Sequence, residues 1–128
     1  MEPIRLFFSY SHQDEKWLVE LRKHLSVPRR LGKIDDWHDR KIGAGNELER
    51  SIAEALNNAD IILLLISHHF LYSDFCNREM ERAMERYTLK EVEVIPIILT
   101  PVDWHGAQFD KLLVLPKDGK PVTSWDNR

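Results

Sequence analysis

Glu79 is the residue of this chain whose type and position most suggest chemistry. It lies in a stretch with helical spacing, where Cys76, Met80, Ala83, Met84 and Tyr87 form an apolar stripe. On such a helix Glu79 sits about 60° from Cys76 and about 40° from Ala83, so it borders the stripe while Glu81 and Glu85 point away. Two readings are open. In one, Glu79 is a rim carboxylate neutralised by Arg78 or Arg82. In the other it is a functional acid, because its helix starts beyond the C-terminal end of the clearest strand, residues 60–66. Ligands of open α/β sheets bind at that rim, and the first turns of a helix favour the charged form of an acid.

The first apolar run ends at the same rim in Phe8-Ser9-Tyr10-Ser11. Aromatic rings there could stack on a ligand ring, and the hydroxyls could meet sugar or phosphate oxygens. The plainer alternative makes Phe8 core and the serines turn residues. A third candidate is the segment from Trp37 to Asn46, with Arg40, Lys41, Gly43 and Gly45. It reads as a loop that costs entropy to order and whose cations could contact phosphate or an acidic partner.

Other chemistries lose support on spacing. Neither Gly-x-Gly-x-x-Gly nor Gly-x-x-x-x-Gly-Lys-Ser/Thr occurs, which weakens Rossmann hydride transfer and P-loop hydrolysis. The histidines are scattered, and the adjacent His68 and His69 cannot by themselves form a tetrahedral metal site, so no metal is expected. Cys76 lies on the apolar stripe and reads as packing; as the single cysteine it can form no internal disulfide. A response-regulator pocket would need an acidic residue ending an early central strand, whereas Asp60 begins one.

The elements that would hold these residues follow from periodicity. Ile4–Phe8 reads as a strand buried on both faces. Ser11 with Asp14 fits a loose capping box ahead of an amphipathic helix over residues 14–25. Pro28 is expected to end that region, and Arg29, Arg30 and Lys33 to lie on a solvated loop. Residues 33–37 form a weaker, more polar strand suited to an edge. A helix follows Asn46, which can cap it, with Leu48, Ile52, Ala55, Leu56 and Ala59 inward. Residues 60–66 read as a central parallel strand, 67–73 as a connection, and Ser73 or Asp74 as the next cap. Residues 93–99 read as a further strand, with Pro96 implying an edge or an irregularity. Residues 101–110 read as loop, and 112–115 as a short final strand or irregular chain. This alternation means a parallel sheet with helices on both faces and right-handed crossovers. No helix follows the last strand. The chain is therefore expected to be a piece of a longer protein, with the uncovered sheet face met by the remainder or by another copy.

The 128 residues suit one domain, and 43% hydrophobic against 30% charged residues suits a folded one. Eighteen basic residues against twenty-one acidic ones argue against a nucleic acid as main partner. No signal peptide or membrane span is visible, which makes the cytoplasm the default expectation.

With these residues in place, the chain resembles the Toll/interleukin-1 receptor (TIR) domain family, particularly its bacterial branch. Phe7-Phe8-Ser9-Tyr10-Ser11 with Asp14 resembles the family's first box. Asp36-Trp37-His38-Asp39-Arg40-Lys41-Ile42-Gly43-Ala44-Gly45 resembles the second box and the long loop behind it. Residues 62–67 with Ser73, Cys76 and Glu79 resemble the third strand and the Ser…Trp-Cys-x-x-Glu region, and residues 94–97 the fourth strand. The resemblance spans nearly the whole chain, residues 1–128 forming one TIR domain. It implies a flavodoxin-like, doubly wound α/β sheet of order 2-1-3-4-5. It also implies one of two functions. The first is cleavage of the nicotinamide–ribose bond of NAD+ in bacterial anti-phage defence, giving nicotinamide and linear or cyclic ADP-ribose. The second is a non-enzymatic self-association module. For the enzyme, the resemblance makes Glu79 the catalytic residue. Phe8, Ser9, Tyr10, Ser11, Trp37, Arg40 and Phe75 become NAD-binding residues, and Lys41, Ile42, Gly43, Ala44, Gly45 and Asn46 an assembly loop. Phe75 stands where active members often carry Trp, keeping a ring and losing the indole N–H. NAD+ is then a substrate, with no separate cofactor. The implied partners are further copies and a sensor or oligomerising module beyond residue 128, with no nucleic acid and no membrane.

Overall fold

Apolar runs at residues 4–9, 61–66 and 93–98 and a more polar one at 34–37 become four parallel strands: β1 (Ile4–Ser9), β2 (Ile34–Trp37), β3 (Ile61–Ile66) and β4 (Glu93–Ile98). Among the described residues, five helices accompany them: α1 (Glu15–His24), α2 (Ser26–Arg30), α3 (Asn46–Asn58), α4 (His68–Tyr72) and α5 (Asp74–Thr88). A single 3-10 turn, His12–Asp14, precedes α1. This is a computed structural model; it describes residues 2–37, 46–102 and 112, and no side chain within 46–51.

The strand order is β2-β1-β3-β4, all pairs parallel. Polar β2 takes an edge, as its composition requires, and apolar β3 lies inside. Phe7 pairs with Trp37 on one side and with Ile62 on the other, and Ser9 pairs with Leu64. Pro96 pairs with Leu64 without interrupting the register, on the side of β3 away from β1. An apolar strand with buried neighbours needs helices on both faces. One face packs Phe7, Ile62, Leu64, Ile66, Val94 and Ile98 against Ile52, Leu56 and Ala59 of α3 and Cys76, Met80 and Ala83 of α5. The other packs Phe8, Tyr10, Leu65 and Leu99 against Leu18 of α1.

Several local expectations are corrected. Ile4 and Arg5 are exposed, so only the C-terminal part of β1 is buried. Pro28 does not end the helical region; it is the third residue of α2, where a backbone N–H would have no intrahelical partner anyway. Arg29 and Arg30 accordingly lie on the last turn of a helix, not on a loop. That helix closes at Gly32, φ +71°, with Gly32 N–H donating to Arg29 C=O and Lys33 N–H to Pro28 C=O. The same closure ends α5 at Lys90, φ 62°, a conformation that favours glycine. Residues 67–73 are not a bare connection, since α4 lies within them. Tyr87 is exposed rather than part of the inward stripe of α5. Leu112 lies in a bend and packs against the α3–α5 core cluster. The rest of the expected final strand, and any helix after it, lie outside the described residues. Among the described residues, no helix is long and apolar enough to cross a membrane.

Candidate functional site

The site is built where β1 and β3 end. Side chains alternate along β1, so Phe7 and Ser9 face α3 and α5 while Phe8 faces α1. Ser9 is buried at the strand's last position. Its hydroxyl donates to Oε1 of Glu79 at 2.6 Å. Glu79 itself is 7% exposed. A buried carboxylate needs hydrogen-bond donors to remain tolerable, and a hydroxyl at this distance is a strong one.

Helix α5 brings Glu79 there. Ser73 caps the helix, its hydroxyl accepting from Cys76 N–H at 3.2 Å. Cys76, Met80 and Ala83 fix the helix's rotation against the sheet. Glu79 therefore stands between the buried stripe and a second stripe of Phe75, Arg78 and Arg82. That second stripe, with Glu79, faces Ile52, Ala53, Leu56 and Asn57 of α3 across a cleft of about 350 Å³. Arg78 lies over the Phe75 ring, 5.8 Å from its centroid. Arg82 donates to Asn57 Oδ1 at 2.8 Å and to Glu85 Oε2 at 2.9 Å. Both arginines thus line the same cleft as Glu79, and both readings of that carboxylate stay open.

A second cleft of about 360 Å³ lies on the other side of Phe75. Tyr10, Ser11, His12, Gln13, Ser73, Phe75 and Cys76 line it. Phe75 walls both clefts. Ser11 is half-buried and its hydroxyl caps the 3-10 turn, accepting from Gln13 N–H at 3.4 Å. Phe8 is 1% exposed and sits on the α1 face of the sheet, opposite Glu79. Trp37 stacks on Phe7 with centroids 5.3 Å apart and planes 9° apart, which makes it a cover for the core at the sheet edge. Arg40 and the segment from Lys41 to Gly45 lie outside the described residues. Asn46 begins α3, and its side chain is outside them too.

Sequence reasoning missed the second buried acid of the rim. Asp14 does not form a capping box; α1 has no side-chain cap from it. Its carboxylate is 3% exposed and accepts the hydroxyl of Ser67, which is fully buried. Ser67 also caps α4, accepting from Phe70 N–H at 3.1 Å. Nothing in sequence joins residues 53 positions apart. Arg86 is a further buried charge that was missed. It donates to Leu56 C=O at 2.7 Å and Ala59 C=O at 3.0 Å, closing the C-terminal end of α3, and pairs with Glu91. Asp36 is buried against Arg22 at 2.5 Å, tying β2 to α1. Asp60 lies at the opposite end of the sheet, exchanging hydrogen bonds with the Arg5 backbone. His68 and His69 touch ring to ring at 4.1 Å, and among the described residues no cluster of three metal-binding side chains occurs.

A four-stranded parallel sheet of this order, with a buried acid at its C-terminal rim, defines an α/β domain of the flavodoxin-like kind. The TIR domain family model matches residues 6–121, and the chain belongs to the TIR domain family. Its fold is similar to the crystal structure of the TIR domain of the Toll-related receptor TRR-2 from Hydra magnipapillata. The TM-score is 0.60 at 19% identity, covering 77% of this chain and 72% of that one, a likeness of fold alone. The chain is also 54% identical over 121 residues to the uncharacterized protein y4lF of Sinorhizobium fredii. That match covers 94% of this chain and 38% of the relative's length.

Proposed function

We propose that this domain cleaves the nicotinamide–ribose bond of NAD+, with Glu79 as the catalytic carboxylate. The observation that carries the reading is the buried Glu79 carboxylate, oriented by the Ser9 hydroxyl at 2.6 Å and set in the wall of a cleft at the C-terminal rim. The chemistry needs little acid catalysis. Nicotinamide leaves as a neutral molecule when the C–N bond breaks and its electron pair returns to the ring nitrogen. What remains is a sugar with oxocarbenium character. A fixed negative charge stabilises that developing cation, and a carboxylate can also accept hydrogen bonds from the ribose hydroxyls. Water then adds to the sugar carbon and loses a proton, giving ADP-ribose; capture by a group of the adenine would give a cyclic product instead.

Of the other binding residues that the resemblance implies, buried Phe8 on the opposite face of the sheet and Trp37 stacked on Phe7 have no place in this reading. Ser9 acts through Glu79, while Tyr10, Ser11 and Phe75 line the neighbouring cleft. Self-association brings residues 41–46 of one copy to the site of another, so the domain works as an assembly inside a longer defence protein. NAD+ is consumed as a substrate and no other cofactor takes part.

A second reading has its own support in the low exposure of Glu79. There the Glu79–Ser9 bond is only a tie between α5 and β1, and the domain signals by association without turnover. The deciding experiment is to incubate the protein, concentrated or fused to an oligomeriser, with NAD+ and to measure free nicotinamide. The enzymatic reading expects release that Glu79→Ala removes without loss of assembly. Absence of release in every assembled state supports the scaffold.

A further inference from the structure

The cleft between α3 and α5 has a charge pattern that hydrolysis at Glu79 does not use. Phe75, Arg78, Glu79 and Arg82 recur at helical spacing and form one face of α5. Across from them Ile52 and Leu56 give an apolar wall and Asn57 a polar one. A single face thus presents one acid beside two arginines, over an aromatic and aliphatic floor. Arg78 and Arg82 are four residues apart, which is about 6 Å along the helix axis. That spacing lets two guanidinium groups address neighbouring phosphoryl groups of one ligand.

Both cations are held for such a task. Arg78 is placed over the Phe75 ring and has an exposed side chain. Arg82 is oriented by Asn57 at 2.8 Å. Its other named partner, Glu85, is an exposed residue of the same helix. Exposed pairs of this kind contribute little, so a phosphate can replace Glu85 at small cost. Arg86, one turn further along α5, makes the contrast, because its guanidinium is committed to the backbone of α3. A cleft of about 350 Å³ is of a size that admits part of a nucleotide.

We propose that the α3–α5 cleft is a diphosphate-binding subsite, in which Arg78 and Arg82 grip the diphosphate of a dinucleotide whose ribose lies against Glu79. The placement of the ribose rests on the function proposed above; the anion site stands on the arginines themselves. The subsite makes the domain selective for nucleoside diphosphate compounds over nicotinamide nucleosides that lack the diphosphate.

The test uses ADP-ribose as probe and isothermal titration calorimetry on the whole chain. The proposal expects wild-type protein to bind ADP-ribose with an affinity that falls as salt rises. Arg78→Gln with Arg82→Gln should weaken binding at least about tenfold, consistent with loss of two charge-assisted contacts. Arg78→Gln alone, at an exposed position that cannot unfold the domain, should weaken it severalfold, and Arg78→Lys should recover part of the loss. Unchanged ADP-ribose affinity in the double variant overturns the proposal, as does wild-type protein that binds no ADP-ribose. Binding that depends on both arginines, in a protein releasing no nicotinamide from NAD+, keeps the subsite and rejects the catalytic reading alone.

Discussion

Two acids are buried at the same rim, each accepting a serine hydroxyl from a distant part of the chain, and their surroundings differ. Asp14 meets Ser67, and Glu79 meets Ser9. Asp14 sits where the 3-10 turn meets α1 and lines neither of the two clefts, so its bond joins the start of α1 to the end of β3. Glu79 stands in a cleft wall beside two arginines. Burial and a hydroxyl partner therefore do not mark an acid as chemical. The feature that separates Glu79 from Asp14 is its place in a cleft wall.

That contrast predicts opposite phenotypes. Glu79→Ala should lower nicotinamide release by about 100-fold or more, in the range seen when a group that stabilises developing charge is removed. Its melting temperature should fall as well, because the hydroxyl of buried Ser9 loses its acceptor, but the fold should persist at assay temperature. A variant that melts far lower while retaining turnover would reverse the roles of the two acids.

Asp14→Ala should act mainly on stability. It leaves the Ser67 hydroxyl with one buried partner fewer, at a cost of about 1–3 kcal/mol. Thermal unfolding would show a midpoint lower by about 5–15 °C. A cycle with Ser67→Ala should give a coupling of about 1–2 kcal/mol, as expected for two groups in direct contact. Strict additivity would mean that the bond does not tie the two elements together.

Ser9→Ala tests how the acid is held. If the hydroxyl acts through Glu79, kcat should fall by about tenfold with KM within twofold, since orientation and not ligand contact is lost. Ser9→Thr should restore most of the rate. A rise in KM with kcat unchanged would make Ser9 a direct ligand of the sugar. The smallest effect serves as the control on stability. Lys90→Gly removes a left-handed lysine at the end of α5 and should stabilise the domain by about 0.5–1 kcal/mol. Nicotinamide release per molecule should stay the same.

Much of this arrangement can be read in sequence, and the remainder fails for identifiable reasons. Periodicity puts Glu79 at the border of a stripe because Cys76, Met80 and Ala83 have to face the sheet. Uninterrupted apolarity puts β3 inside the sheet, and the polarity of Asp35 and Asp36 puts β2 at its edge. Contacts between side chains far apart in sequence leave no local trace. Asp14 therefore reads as a cap, when its partner lies beyond the third strand. Helix α4 escapes notice because five residues carry too little periodic signal. Pro28 misleads because its position inside the first helical turn, where proline is tolerated, depends on a boundary that sequence places poorly. Phe8 is ambiguous until the pleat is known, for a shift of one residue moves a side chain to the opposite face.

Arg86 has a mechanical consequence. One guanidinium fastens the carbonyls of Leu56 and Ala59, at the C-terminal end of α3, to α5. Leu56 also lines the cleft, so the clamp and the opening share a residue and the spacing of the two helices is pinned at that end. Loss of that guanidinium would leave two carbonyl acceptors unmet and free the width of the gap to vary, although Arg86 itself is not among the residues lining it.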